Sequence, residues 1–190
     1  MFENIRCCKN CFLCNNQPPL LSSTPDAPPV IMVVGTSAKQ VKSPTEIPLD
    51  ESTRSGKIVS RLEAVSIKYG YSIYRTNLVK CPPMNDVNKL RNPTVEEIAA
   101  CIGNLFQEIE LLTPAIVLLL GKITVSAMEC KLGTKFGDYS GCTFTTQTVG
   151  NQRYAAAYHP SFVSKSPELT EEYINNFTEM LTKELGGTDL

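Results

Sequence analysis

Eight cysteines stand in 190 residues, and half of them crowd into Cys7, Cys8, Cys11 and Cys14. Two overlapping C-x-x-C pairs are available there, Cys8 with Cys11 and Cys11 with Cys14. Such a turn aims two thiolates at one metal and is common to zinc and iron–sulfur sites. One pair cannot close a four-thiolate site. The completing candidates are Cys81, in Lys80-Cys81-Pro82-Pro83, and Cys101; by spacing alone both read equally well as ordinary buried thiols. Cys130 and Cys142 have no partner in the pattern and read as ordinary thiols outright. Beyond sulfur, the chain offers a single histidine, His159, stiffened by Pro160. It also offers Asn77, whose amide presents donor and acceptor together. A lone histidine is more often structural than catalytic, and an asparagine at a strand end often caps a turn.

Those residues need elements to hold them. Val30 to Val34 is a continuous apolar, β-branched run ended by Gly35, the pattern of a buried parallel strand. A polar loop follows to about Arg54, with Pro44 and Pro48 excluding regular structure. From Gly56, Ile58, Val59, Leu62, Val65 and Ile67 keep helical spacing and stop at Gly70. Ile73 to Val79 reads as a second strand, which puts Asn77 near its carboxyl end. Pro93-Thr94 opens a helix with Glu96 and Glu97 in its first turn, and Pro114 closes it. Ala115 to Leu120 is a third strand and Ile123 to Lys131 a helix. Cys142 to Val149 and Tyr154 to Ala157 read as further strands, a hairpin turned at Gly150-Asn151, and Leu169 to Leu185 as a last amphipathic helix. Alternating strands and helices imply a parallel sheet with helices on both faces, whose ligands bind at the strands' carboxyl ends. The segments after Val34, Val79, Leu120 and Ala157 are therefore expected to converge on one site.

Composition narrows the class. Apolar residues are 42% and charged residues 19%, the balance of a folded protein, and the length suits one domain over 1–190. Residues 1–29, cysteine-rich and then proline-rich, read as an irregular arm that something must hold down. The net charge of −1 advertises no polyanionic partner, so any nucleic-acid contact has to be local. The first residues lack a signal-peptide core, and the longest apolar run, Ala115 to Leu120, is too short to span a bilayer. A cytoplasmic protein with no membrane partner is expected, where eight cysteines do not form a disulfide framework and metal chemistry is the better reading.

Thr76-Asn77-Leu78-Val79-Lys80-Cys81-Pro82-Pro83, followed by Pro93-Thr94-x-Glu96-Glu97-Ile98-x-x-Cys101, resembles the family-four uracil-DNA glycosylases, the iron–sulfur members of their superfamily. Cys8-x-x-Cys11-x-Leu13, Pro114-x-Ile116-Val117-x-Leu119-Leu120-Gly121 and His159-Pro160-Ser161-Phe162 extend the resemblance in the correct order from about Arg6 to Val163. The resemblance implies an α/β fold, a three-layer αβα sandwich on a mostly parallel four-stranded sheet. It implies a monomer that acts on a flipped-out base in DNA, with a 4Fe-4S cluster on Cys8, Cys11, Cys81 and Cys101 that ties the arm to the sheet. Zinc is the alternative occupant. By the same resemblance Asn77 recognises the base, and His159 donates to its carbonyl oxygen as the glycosidic bond breaks. The stretch from Cys81 to Cys101 runs a few residues longer than in the family, absorbed by a loop around Asn85 to Asn92.

The departures carry as much information. Where the family has G-E-x-P-G after its first strand, this chain has Gly35-Thr36-Ser37-Ala38-Lys39, without the acid and the proline. Where it has R-P-F-V-G-x-A-G, with a base-stacking phenylalanine, this chain has roughly Leu49-Asp50-Glu51-Ser52-Thr53-Arg54-Ser55-Gly56. Backbone amides at Thr36 and Ser37 can cradle a base or phosphate, and Asp50 or Glu51 can hold the water or steady the sugar cation; the alternative for both carboxylates is a solvated loop charge. A wall without its aromatic ring suits a bulkier, more polar pyrimidine than uracil, such as a hydroxymethylated or glycosylated base of bacteriophage DNA. Two other readings stand beside this one: a catalytically inactive DNA- or protein-binding module on the same fold, and a zinc-stabilised hydrolase of nucleotides. Lys39, Lys42, Arg54, Lys57, Lys122 and Lys165 are candidate phosphate contacts near the carboxyl-end loops.

Overall fold

The computed structural model describes residues 2–186 except 24, 26–28 and 44; Pro44 of the first long loop therefore lies outside the described residues. Val30–Ser37 forms β1, and its apolar side chains alternate between two cores, Ile31 and Val33 facing one and Met32 and Val34 the other. Such a doubly buried strand must sit centrally, and β1 pairs in parallel with Ser72–Val79 (β2) on one side and Ile116–Leu120 (β3) on the other. β3 pairs in parallel with Gln152–Ala157 (β5), which turns back from the antiparallel edge strand Thr145–Val149 (β4). The sheet order is β2-β1-β3-β5-β4. The four parallel strands match the expected sheet; β4 is a fifth, added by the Gly150-Asn151 hairpin that the sequence signalled.

Helices cover both faces. Arg54–Lys68 (α2), the short Pro160–Val163 (α5) and Pro167–Leu185 (α6) pack on one side through Leu62, Val163, Tyr173, Phe177 and Leu181. Val95–Leu112 (α3) and Lys122–Leu132 (α4) pack on the other through Leu105, Val125 and Met128. α3 starts where Thr94 and Glu97 form a reciprocal capping box, and it ends at Thr113 just before Pro114. Cys101, Leu105 and Glu108 share its buried stripe at helical spacing, so one face of α3 carries both a thiol and a carboxylate to the sheet.

The arm is less irregular than its composition suggests. Glu3–Arg6 makes a single helical turn (α1) and Phe12–Asn15 a 3-10 turn, both too short to leave a periodic signature. Phe2, Ile5, Leu13 and Leu21 are buried in the α3-side core. The Leu20 N–H donates to the Lys80 carbonyl (2.8 Å) and Asn16 Nδ2 to that of Pro82 (3.0 Å), which docks the arm along the end of β2. No helix among the described residues is long and apolar enough to cross a membrane.

Candidate active site and cysteine centre

The chain leaves β1 to build β2 on one side and returns to build β3 on the other, so a crevice opens above the carboxyl ends of the strands. A cleft of about 630 Å3 lies there, and Thr36, Ser37, Leu49, Asp50, Asn77 and His159 all line it. Asn77 is 3% exposed, yet no hydrogen bond among the described residues uses its side-chain amide. The amide opens onto the cleft, where a ligand can supply its donor and acceptor partners. Gly35 stands opposite it in the β1–β2 register, and a Cβ there would lie 2.5 Å from Asn77 Oδ1. Gly35 thus contributes the absence of a side chain behind the amide rather than a lining group. Thr36 Oγ1 is bonded to Thr124 Oγ1 of α4 (3.1 Å), whereas Ser37 Oγ has no such partner among the described residues.

His159 caps the N-terminus of α5. Its Nδ1 accepts the Ser161 N–H (3.3 Å) and lies 2.9 Å from Ser161 Oγ. An acceptor at Nδ1 assigns the proton of the neutral ring to Nε2. Burial lowers the imidazole below its ordinary value and keeps the ring neutral at neutral pH. Gly121, at φ +88°, runs close beneath: a Cβ there would sit 3.0 Å from that of His159, so both the backbone angle and the space call for glycine.

The two carboxylates part company. Asp50 lines the cleft, but its Oδ1 accepts the Ser52 N–H (2.9 Å), and hydrogen bonds from Ser52 hold its carboxyl below the usual range. Glu51 is exposed and faces a neighbouring depression with Ser52 and Lys57, outside the cleft. The wall that sequence reasoning missed is Leu49, whose Cδ2 would lie 3.3 Å from a Cβ at Gly35. Its backbone takes φ +52°, and its carbonyl accepts from buried Arg75 (2.9 Å). The apolar run Ile47-Pro48-Leu49 just before Asp50 and Glu51 was the available signal. Of the candidate phosphate contacts, Lys39 lines the cleft in an ion pair with Glu46, and Lys165 lies over the Phe162 ring at 5.1 Å.

On the arm side of β2, Cys8, Cys11, Cys14, Cys81 and Cys101 line one small cavity. Cys7 stands apart, exposed, with its thiol toward Glu3. Asn104 Nδ2 donates to the sulfurs of Cys8 (3.4 Å) and Cys101 (3.7 Å), and the Lys80 N–H donates to Cys101 Sγ (3.3 Å). Cys14 instead turns its thiol to the Cys11 carbonyl (3.2 Å). Burial first, and then the neighbouring thiols, push Cys81 up to about 12; burial also raises Cys101. Five thiols around one cavity, with N–H donors aimed at two of the sulfurs, form a donor set that fits a thiolate-bound metal group. Among the described residues, no three His, Cys, Asp or Glu side chains are gathered tightly enough to grip a single ion.

A buried ion pair joins the two sites. Lys80 Nζ pairs with Glu108 and donates to Thr76 Oγ1 (2.8 Å) and the Asn77 carbonyl (2.7 Å). Glu108 also accepts from Tyr74 Oη (2.9 Å) and Thr76 Oγ1 (2.9 Å). Both charged side chains are fully buried, and every ammonium proton has an acceptor.

Fold and cleft place the chain among doubly wound α/β proteins that carry their site at the β1/β3 switch. The sequence profile of the uracil DNA glycosylase superfamily matches residues 24–182, and the chain belongs to that superfamily. It is 32% identical over 120 residues to the type-4 uracil-DNA glycosylase of Pyrobaculum aerophilum, covering 61% of this chain and 59% of that protein. It is 28% identical over 130 residues to that of Archaeoglobus fulgidus, covering 66% and 63%. With the enzyme of Thermotoga maritima the identity is 26% over 169 residues, covering 88% and 84%. The chain thus spans less than two thirds of the first two relatives.

Proposed function

We propose that the protein is a DNA glycosylase that hydrolyses the N-glycosidic bond of a flipped-out pyrimidine. The observation that carries this reading is the unpaired amide of Asn77 facing the same cleft as a neutral His159. A pyrimidine edge supplies the donor and acceptor that the Asn77 amide lacks. His159 Nε2–H donates to the base carbonyl oxygen as the bond from C1′ to the ring nitrogen lengthens and negative charge grows on the base. Water then adds at C1′ of the oxocarbenium-like sugar; its oxygen becomes the sugar hydroxyl and its proton passes by way of cleft groups to the departing base. Ser37 Oγ and the ionised Asp50, at the cleft wall, are the groups that orient that water.

The substrate we favour is a modified pyrimidine with added hydroxyl or sugar groups. Leu49 in place of an aromatic wall and the polar Ser37, Thr53 and Ser55 along the cleft support it. Incubation with duplexes carrying uracil, hydroxymethylated or glycosylated pyrimidines, followed by cleavage at abasic sites, tests both levels. Release of the modified base with little uracil is expected; release of uracil alone ends the modified-base reading. One observation favours the inactive binding module instead: Asp50 is engaged with Ser52, and Glu51 lies outside the cleft. Tight DNA binding with no base released from any duplex would establish that reading.

Cys8, Cys11, Cys81 and Cys101 are the ligands we assign to a 4Fe-4S cluster, with Cys14 beside it. The shared cavity and the N–H donors to sulfur support this. The cluster supplies structural cross-linking between arm, β2 and α3, and no redox step. Purified protein is expected to absorb near about 400 nm and to hold about four irons per chain. Alanine at any of the four ligands should abolish both, and Cys14→Ala should keep both. Stoichiometric zinc without iron would refute the cluster.

A further inference from the structure

The residues that lengthen the stretch between Cys81 and Cys101 do not form a slack loop. Met84 and Leu90 pair in an antiparallel bridge. The Asn85 N–H donates to the Lys89 carbonyl (2.9 Å) and the Asn88 N–H to that of Asn85 (2.9 Å). Asn85 Oδ1 accepts the N–H groups of Val87 (3.1 Å) and Lys89 (2.8 Å), and Asn88 takes the left-handed conformation at φ +54° that closes the turn. The base is clamped as well. The Arg91 N–H donates to Pro83 and its Nε to Met84, while its guanidinium grips Glu97 in a two-point pair (2.8 and 2.6 Å) at the start of α3.

This self-supported hairpin presents apolar side chains to water. Val87 is 69% exposed and Leu90 52%. Leu90 also lines the rim of the base cleft, together with Arg91 and Asn92. Asp86 and Lys89 offset each other in charge, so the hairpin has no phosphate-seeking character of its own. A rigid apolar tip beside a cleft that receives an extruded base matches the chemistry of base faces rather than that of the phosphate backbone. Wedges of this kind unstack a step of the duplex and hold it open.

We propose that the hairpin 84–90 is a wedge that enters the base stack of duplex DNA beside the extruded nucleotide, with Val87 and Leu90 as the inserting side chains. The inference rests on the glycosylase reading and adds the element that opens the duplex. A wedge matters only where there is a stack to open, so the test compares duplex with single-stranded DNA carrying the same target base. In the Val87→Ser/Leu90→Ser variant the ratio of duplex to single-strand release is expected to fall about tenfold. Ile67→Ser, another exposed apolar side chain at the far end of α2, should leave that ratio unchanged. The fluorescence rise of 2-aminopurine placed next to the target, which reports unstacking without bond cleavage, should vanish in the double variant alone. An unchanged ratio with an intact fluorescence rise overturns the wedge, including the case in which the hairpin serves a protein partner. A wild type that releases no base overturns the glycosylase reading instead, and the 2-aminopurine signal then still decides for or against the wedge.

Discussion

The His159→Ala variant is expected to release base about 10²–10³-fold more slowly than the wild type, the usual consequence of removing one donor to a developing anion. In the proposed role Nε2–H engages the base oxygen most strongly as charge arrives there, so the loss should fall on kcat. His159 is also the N-cap of α5, so alanine alone confounds chemistry with local structure. His159→Asn separates them: asparagine caps a helix well but places no donor at the Nε2 position. It should match alanine in rate and exceed it in thermal stability. Wild-type rates in His159→Asn would refute the assigned role. Acidification supplies an independent check. Because burial lowers the imidazole, the unfolded chain binds the proton more readily than the folded one. The stability linked to this group is therefore present above the ordinary histidine value and is lost as pH falls through the lowered one. Between about pH 8 and pH 5 the wild type should lose more thermal stability than His159→Asn.

The second large effect is structural. Lys80→Met leaves the Glu108 carboxylate buried without its cation, and Glu108→Gln leaves the Lys80 ammonium without its anion; each is expected to cost about 3–5 kcal/mol. The double variant Lys80→Met/Glu108→Leu removes both charges and should be less destabilised than the sum of the two, with a coupling visible in a double-mutant cycle of denaturation midpoints. Additive losses would show that the pair acts as two separate hydrogen-bonding groups. The pair earns this weight from its position. Lys80 Nζ fixes the Asn77 carbonyl, and the Lys80 N–H reaches Cys101 Sγ, so one residue touches the supports of both sites.

Much of this was legible in the sequence, for identifiable reasons. The β-branched run of β1 and the Thr94–Glu97 cap of α3 are local signals, and the residues encoding them also make the contacts. Asn77 and His159 could be placed on one cleft because a doubly wound sheet brings strand ends together whatever the loops do. Features that depend on distant partners were hidden. Glu108 reads as one more helix carboxylate until Lys80, 28 residues away, is seen against it. Leu49 became a wall only because Arg75 holds its carbonyl and Gly35 leaves it room. The β4 boundary moved from Cys142 to Thr145 because Cys142 and Phe144 pack into the α6-side core without joining the ladder, and apolar character alone does not distinguish the two.

The separation of the cysteines in sequence sets an order of events during synthesis. Cys8 and Cys11 leave the ribosome first, yet Asn104, whose amide bonds Cys8 Sγ, lies 96 residues behind it. Until β2 and α3 have emerged and docked, the early thiols face solvent with no cavity around them. Their closure is therefore a late latch: it can snap shut only on a chain whose central sheet has already formed, and a nascent protein stalled before α3 would leave those sulfurs open to oxidation.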